Sequence, residues 1–518
     1  MPSDKVVVIG AGVGGLVSAA LLAARGLDVT VVEAAASPGG KMRQVIVDGA
    51  AIDAGPTVFT MRSAFDAIFE TCGASLDDHL TIRPAATLAR HAWGEAQLDL
   101  FADPARSEAA IGDFAGAAEA RGYRAFRAEA KRIFDSLDRP FLRNTSTNPL
   151  TLGLRMGRAG FADYCTLHPY TSLWRGLGGY FRDPRLQQLF GRYATYCGSS
   201  PFKAPATLML IAHVEALGVG LIDGGMHALA RAIEAVATKN GAHLRYEAPV
   251  REILVEHGRA AGVLLDSGER IDAGAVICNA DPAAIASGRL GQAAKRAVAA
   301  VSPARRSLGA MVWTARTPAK GFPLSRHNVF FSRDYPAEFA ALAAGRLADA
   351  PSVYVCAQDR DDSGAASPGT ERLQIIVNAP PIGDGAGFTP AEIDTCRLQM
   401  LASVSRAGLS LDPAPGAMML TTPSDFEAMF PSTGGALYGP ASHGWAASFR
   451  RQGSRTRIPG LYCAGGSTHP GAGVPMAALS GQLAVGCLLK DRASTSRSAR
   501  TAMPGGISTR SARTAASA

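Results

Sequence analysis

The chain has 518 residues, 47% hydrophobic and 19% charged, with a formal net charge of +8 at pH 7. That length exceeds one simple core, so two or more lobes are expected. Eight scattered cysteines without a CxxC pair argue against a zinc site or disulfide framework and for a reducing medium. Ten histidines show no close ligand spacing, so no metal is expected, and no nucleic-acid fold signature accompanies the positive charge.

The first element is Lys5-Val6-Val7-Val8-Ile9, an apolar strand running into Gly10-Ala11-Gly12-Val13-Gly14-Gly15. An Ala/Leu-rich helix follows from Leu16 to Arg25, closed by Gly26, and Asp28 to Val32 forms a second strand. That strand ends at Glu33, 21 residues beyond Gly12, where a ribose-binding carboxylate belongs. The order describes a pyrophosphate cradle. Gly10 allows the tight turn, Gly12 lets the backbone approach the phosphates, and Gly15 lets the helix pack close to the strand. The positive end of the helix, reached through Gly14, faces the anion. A dinucleotide is expected here.

A second glycine pair, Gly39-Gly40, comes with the cations Lys41 and Arg43, then Ile52-Asp53-Ala54-Gly55-Pro56-Thr57. This suits a longer, doubly charged ligand lying across the sheet, although Lys41 and Arg43 read equally as phosphate contacts or as solvated charges. Further on, Arg143, Arg155, Arg158, Arg175, Arg182, Arg185 and Arg192 are interleaved with aromatic residues such as Tyr170, Trp174, Tyr180 and Phe181. Arginine beside aromatics fits a monotopic membrane surface, against the alternative of a solvated helix face. The apolar stretch 206–222 contains His213 and Glu215, more often satisfied core groups than catalysts.

A third ordered unit begins at Leu221-Ile222-Asp223-Gly224-Gly225-Met226, with a helix from Ala228 to Thr238 and strands near 243–246, 249–253, 262–268 and 275–278. Asn279 or Asp281 is expected to cap the helix that follows. From Ile458 to Leu489 no Asp, Glu, Lys or Arg occurs, but prolines and glycines break the run before Ala477, so no membrane span is expected. A strand beginning at Lys5 leaves no space for a cleavable leader, giving a cytoplasmic expectation. The tail 491–518 is rich in Ser, Thr, Ala and Arg, and Arg497-Ser-Ala-Arg-Thr-Ala502 recurs at 510–515; disorder is predicted.

The N-terminal segment, the third unit and the ending Tyr462-Cys463-Ala464-Gly465-Gly466-Ser467-Thr468-His469-Pro470-Gly471-Ala472-Gly473-Val474-Pro475-Met476 resemble the flavoprotein superfamily of amine oxidases, GDP-dissociation inhibitors and carotenoid desaturases. The His-Pro-Gly-x-Gly turn and Gly49-x-x-Ile52-Asp53-Ala54-Gly55-Pro56-Thr57 resemble the carotenoid desaturases. Within them, Gly40-Lys41-Met42-Arg43, Thr60-Met61-Arg62 and Val474-Pro475-Met476 most resemble the hydroxyneurosporene desaturases of purple photosynthetic bacteria.

The resemblance implies an α/β protein with a discontinuous Rossmann-type FAD-binding domain (1–75, 220–295 and 441–490) and an α+β substrate domain (76–219 and 296–440). It implies FAD as cofactor, with Gly39 and Gly40 beside its diphosphate and Pro56 and Thr57 in the same cofactor region. Val250 would contact the adenine through its backbone. Gly465, Gly466, Val474, Pro475 and Met476 would return to the flavin ring. His469 reads better as a turn-stabilising residue than as a base, and no catalytic residue is assigned.

The implied reaction removes two hydrogens from a 1-hydroxycarotenoid to make the 3,4 double bond, by hydride transfer to flavin N5 and loss of an adjacent proton. About 30 buried methylene equivalents at ~0.8 kcal/mol each make entry of such a polyene into water cost on the order of 20 kcal/mol. Delivery from a bilayer into an apolar channel, with peripheral contact to the inner or intracytoplasmic membrane, is therefore expected. The competing readings are a phytoene desaturase, a non-redox carotenoid isomerase, an amine oxidase and a prenyl-lipid escort protein.

Overall fold

The computed structural model describes residues 4–145, 148, 151–153, 155, 170–362 and 369–501. Arg158 and the second copy of the tail repeat lie outside the described residues.

Five short strands form one parallel sheet, in the order His243–Arg245, Asp28–Val32, Lys5–Ile9, Ala275–Cys278, Leu461–Cys463. Inside the edge strand His243–Arg245, the Val, Ile and Leu side chains of the other four strands are buried on both faces, which is why those strands read as apolar runs. The pairing makes neighbours of segments near residues 5, 275 and 461. The Val13–Ala23 helix is buried along its whole length, as expected for a helix apolar on every side. It packs between the Met226–Lys239 helix and the C-terminal Val474–Thr501 helix. It begins three residues earlier than the sequence suggested, so Gly14 and Gly15 stand inside its first turn.

The third unit's helix likewise starts early, at Met226, because a cap arrives from elsewhere. Asp53 accepts from the Met226 N–H at 2.5 Å, satisfying a first-turn donor that Gly225 has no side chain to reach. Burial pushes the Asp53 carboxyl upward, opposed by this hydrogen bond.

A second sheet has seven strands, in the order Met418–Thr421, Gly309–Thr317, Glu371–Ala379, Val353–Ala357, His327–Phe330, Thr87–Trp93, Ala96–Phe101. Strands from both sequence insertions therefore share one sheet, joined where His327–Phe330 runs parallel to Thr87–Trp93. One face buries Trp313, Phe330, Val355 and Ile375 against Cys396, Met400 and Val404 of the Pro390–Ser405 helix. The opposite face carries Val329 and Phe331 into an aromatic cluster built by Phe126, Phe181 and Phe190.

The C-terminal helix departs from expectation. It continues through Asp491 to Thr501, where composition predicted disorder from Asp491 onward. Asp491 pairs with Arg455 at 2.8 Å and accepts from the Tyr462 hydroxyl at 3.0 Å, anchoring the turn that composition alone left unsupported. No helix among the described residues is long and apolar enough to cross a membrane.

The crossing of the first and last helices is close. A Cβ at Gly481 would lie 2.5 Å from the Gly14 carbonyl oxygen and 3.2 Å from Ser18 Oγ. Gly481→Val should therefore force the helices apart and lower stability by about 1–3 kcal/mol, read as a fall in Tm of the FAD-loaded protein. An unchanged Tm would contradict the tight crossing.

Candidate flavin and substrate site

The glycine turn is built as a cradle without side chains. Gly10 has φ +91°, a conformation that suits glycine, and its N–H donates to Val32 O at 2.8 Å. A Cβ at Gly12 would come within 2.6 Å of Asn279 Nδ2. One at Gly14 would come within 2.7 Å of both Asn279 Oδ1 and Gly465 N. The Val13–Ala23 helix has no side-chain N-cap and no acid in its first turn, which leaves its leading N–H groups to an anion. This groove fits a pyrophosphate.

Glu33 stands at the edge of the turn, where Oε2 accepts from Ala11 N at 2.6 Å and Oε1 from Ala35 N at 2.8 Å. Gly39 donates to Ala11 O at 2.9 Å, and a Cβ on Gly40 would lie 3.2 Å from Gly12 Cα, so both glycine segments form one floor. Ala248 N donates to Glu33 O at 2.8 Å, which brings the strand starting at Val250 beside the acid. Gly465 meets Asn279 at the other side of the cradle. Gly466 O accepts from Arg451 Nη1 at 3.2 Å, and the helix starting at Val474, Pro475 and Met476 has no acid in its first turn.

Lys41 and Arg43 are engaged by the 421–437 segment. Lys41 Nζ donates to Leu437 O at 2.6 Å and lies 5.2 Å from the Phe430 ring centroid. Arg43 Nη2 donates to Thr421 Oγ1 at 2.7 Å, with its carbon 5.8 Å from the Phe426 ring. Neither side chain is a freely solvated charge; together they tie the second glycine loop to the 421–437 segment. Burial lowers the Lys41 pKa, with Asp281 opposing.

Of the two caps that the sequence offered, the structure selects Asp281 and gives Asn279 another place. Asp281 performs the capping, accepting from Ala283 N at 2.9 Å, while Asn279 reaches into the glycine crossing and its Nδ2 lies 3.5 Å from Gly10 O. Its position at the end of a predicted strand beside the cradle was the available signal.

Beyond Pro56 the loop meets the seven-stranded sheet. Thr57 Oγ1 lies 2.6 Å from the Tyr354 hydroxyl, which lies 2.7 Å from His327 Nδ1. Arg192 Nη1 donates to the Tyr196 hydroxyl at 3.0 Å and stacks over the rings of Tyr196 and Tyr354 at 5.1 and 5.2 Å. Arg192 thus faces the interior, a correction to its place in the basic surface patch. Burial pushes His327 down to about 3, keeping it neutral, and pushes the Tyr354 phenol up.

Other candidates hold structural positions. Glu215 accepts from the Tyr193 hydroxyl at 2.5 Å, and burial raises its pKa; His213 lies 5.0 Å from the Phe134 ring. His469 places Nε2 at 3.0 Å from Phe141 O and 2.9 Å from Asn144 O, docking the glycine-rich turn onto the aromatic insertion.

The family model for flavin-containing amine oxidoreductases matches residues 13–489. The chain belongs to this family. It is therefore a flavin-dependent oxidoreductase, and a flavin seated in a dinucleotide cradle is FAD. Among curated relatives, a hydroxyneurosporene desaturase of Rubrivivax gelatinosus is 53% identical, over 99% of this chain and 98% of the relative. A 1-hydroxycarotenoid 3,4-desaturase of a Flavobacterium species is 29% identical, covering 92% of this chain and 98% of the relative. Among solved structures, an oxidoreductase from Methanosarcina mazei shares the fold, with TM-score 0.58, 18% identity and coverage of 94% of this chain and 100% of that one.

Gly12→Val should insert a side chain into Asn279 and the phosphate path, so the purified protein should lose its bound FAD absorbance. Glu33→Ala removes a charged acceptor and should weaken FAD binding roughly tenfold in a flavin titration; full occupancy in either variant would refute the cradle.

Proposed function

We propose that the enzyme introduces the C-3,4 double bond into 1-hydroxyneurosporene-type carotenoids. The reading is carried by end-to-end likeness to a hydroxyneurosporene desaturase, which extends through the aromatic insertion as well as the cofactor segments. When bound, FAD supplies hydride acceptance at N5, with loss of a proton from the neighbouring carbon.

The chain's own residues align and dehydrate. The glycine loops and Glu33 hold the dinucleotide, and the start of the Val474 helix, with no acid in its first turn, favours negative charge nearby. The aromatic cluster of Phe126, Phe181, Phe190 and Tyr193 excludes water behind the sheet face that Thr57 touches. Orientation in a dry site is the main contribution asked of the protein.

Delivery from a membrane fits the surface. Tyr170 is 77% exposed and Trp445 44% exposed, with ring centroids 5.7 Å apart, so two interfacial side chains form one projecting pair. The cationic patch is narrower than the sequence suggested. Arg143 pairs with Asp138 at 2.9 Å and Arg185 with Asp183 at 2.6 Å, while Arg155, Arg175 and Arg182 are exposed. The reading is of a peripheral protein that takes its substrate laterally from lipid, on the inner or intracytoplasmic membrane.

Liposomes containing 1-hydroxyneurosporene, incubated with FAD-loaded enzyme and an electron acceptor, should yield a product two hydrogens lighter with a longer chromophore. An isomer of unchanged mass would overturn the desaturase reading. Replacing Tyr170 and Trp445 together by Ala should lower liposome flotation severalfold, with a smaller salt-sensitive part from the arginines. Unchanged flotation would remove this docking surface.

A further inference from the structure

A hydrocarbon enzyme has little need of an inward-facing cation, yet Arg192 sits half-buried among aromatic side chains. It forms no ion pair among the described residues. The two nearest interior carboxyls are committed elsewhere, Glu215 to the Tyr193 hydroxyl at 2.5 Å and Glu338 to Ser352 Oγ at 2.7 Å. Its described polar contact is the Tyr196 hydroxyl, so most of its five N–H donors are open.

Arg192, Tyr196 and Tyr354 are each half-buried and stacked together, beside Tyr193 and Tyr335, which are each 4% exposed. Polar capacity is spare there: His327 Nε2 and the Tyr335 hydroxyl are buried without a hydrogen-bond partner. The cluster joins the loop of Pro56 and Thr57 through the Thr57–Tyr354 contact at 2.6 Å.

We propose that Arg192 and Tyr354 form the recognition site for the tertiary hydroxyl of the carotenoid end group, resting on the desaturase reading above. The covalent structure of the substrate dictates where such a site must lie. The hydroxyl is on C1 and the bond to be desaturated joins C3 and C4, so the oxygen stands three bonds from the first reacting carbon. A hydroxyl reader must therefore adjoin the flavin rather than lie at the far end of the channel. Tyr354, one hydrogen bond from the cofactor loop, meets that requirement. The hydroxyl accepts from the Arg192 guanidinium and shares a hydrogen bond with the Tyr354 phenol, fixing the end group's depth along the channel. A chain end without the hydroxyl leaves these donors unmatched in a dry site, which is the strongest form of rejection available to a pocket.

The test uses the full-length, FAD-loaded enzyme with liposomes containing either 1-hydroxyneurosporene or neurosporene. Wild type should prefer the hydroxylated carotenoid in kcat/KM by about 100-fold or more. Tyr354→Phe keeps the ring and removes the hydroxyl; Arg192→Met keeps the length and removes the donors. Each should lower the preference about tenfold, through loss on the hydroxylated substrate while neurosporene turnover holds or rises. Flavin absorbance confirms loading. Equal losses on both substrates, or an unchanged preference, would overturn the proposal and leave desaturation standing. Failure of loaded wild type to desaturate either carotenoid would overturn the functional reading and this proposal with it.

Discussion

The structure depends on one close approach of three remote pieces of backbone, held at Asn279. Gly14, Asn279 and Gly465 meet so tightly that a methyl group on either glycine would strike the asparagine side chain. The parallel ladder enforces this convergence: Asn279 N donates to Ile9 O at 2.8 Å, and Ala464 N donates to Cys278 O at 3.0 Å. Asparagine suits the position because one short side chain offers both a donor and an acceptor to glycine backbone on either side. The cofactor cradle is what these segments leave uncovered.

Because the cofactor sheet consumes the start, middle and end of the chain, everything else must be inserted between them and still return. The two insertions solve this by sharing the seven-stranded sheet. Asp53 then ties that sheet to the cofactor side. Its backbone N–H donates to Gln358 Oε1 at 3.0 Å, its carbonyl accepts from Gln358 Nε2 at 2.9 Å, and its carboxylate caps the Met226 helix. A single acidic residue thus joins the FAD-side loop, the adjacent helix and the substrate sheet. Lys41 and Arg43 add a second tie between the same bodies, which explains two cations that are half-buried. The gap between loop and sheet is consequently fixed in width, as alignment of an unactivated C–H bond with a flavin requires.

What could be read from the sequence was local and periodic. The Lys5–Ile9 and Asp28–Val32 strands, the glycine turn and the apolar helix declare themselves because strand, turn and dipole act within thirty residues. The misplacements share another cause: they turn on contacts between distant segments. Asn279 and Asp281 read alike as caps, and only the arrival of Gly465 shows why Asp281 takes the cap and Asn279 the crossing. Arg192 looked like one more surface arginine among aromatics, since composition does not say which face of a helix turns inward. The end of the C-terminal helix was missed because Arg455 and Tyr462, 36 and 29 residues before Asp491, supply its anchor.

Arg192 also shows why a stability argument alone does not account for the substrate domain. Partly burying a guanidinium without a carboxylate carries a desolvation cost that no ion pair repays. Cation–π contacts with Tyr196 and Tyr354 return about 1–2 kcal/mol, a partial offset. An otherwise aromatic and aliphatic lining that retains this charge therefore sacrifices stability for discrimination. A carotenoid is nearly uniform along its length, and dispersion against apolar walls changes little when the chain slides by one methylene. A hydroxyl is the one feature that can stop the slide at a defined bond. Selectivity for position along the polyene and selectivity for the hydroxylated end thus become the same physical event, made by donors whose alternative is to remain unmatched beside the flavin.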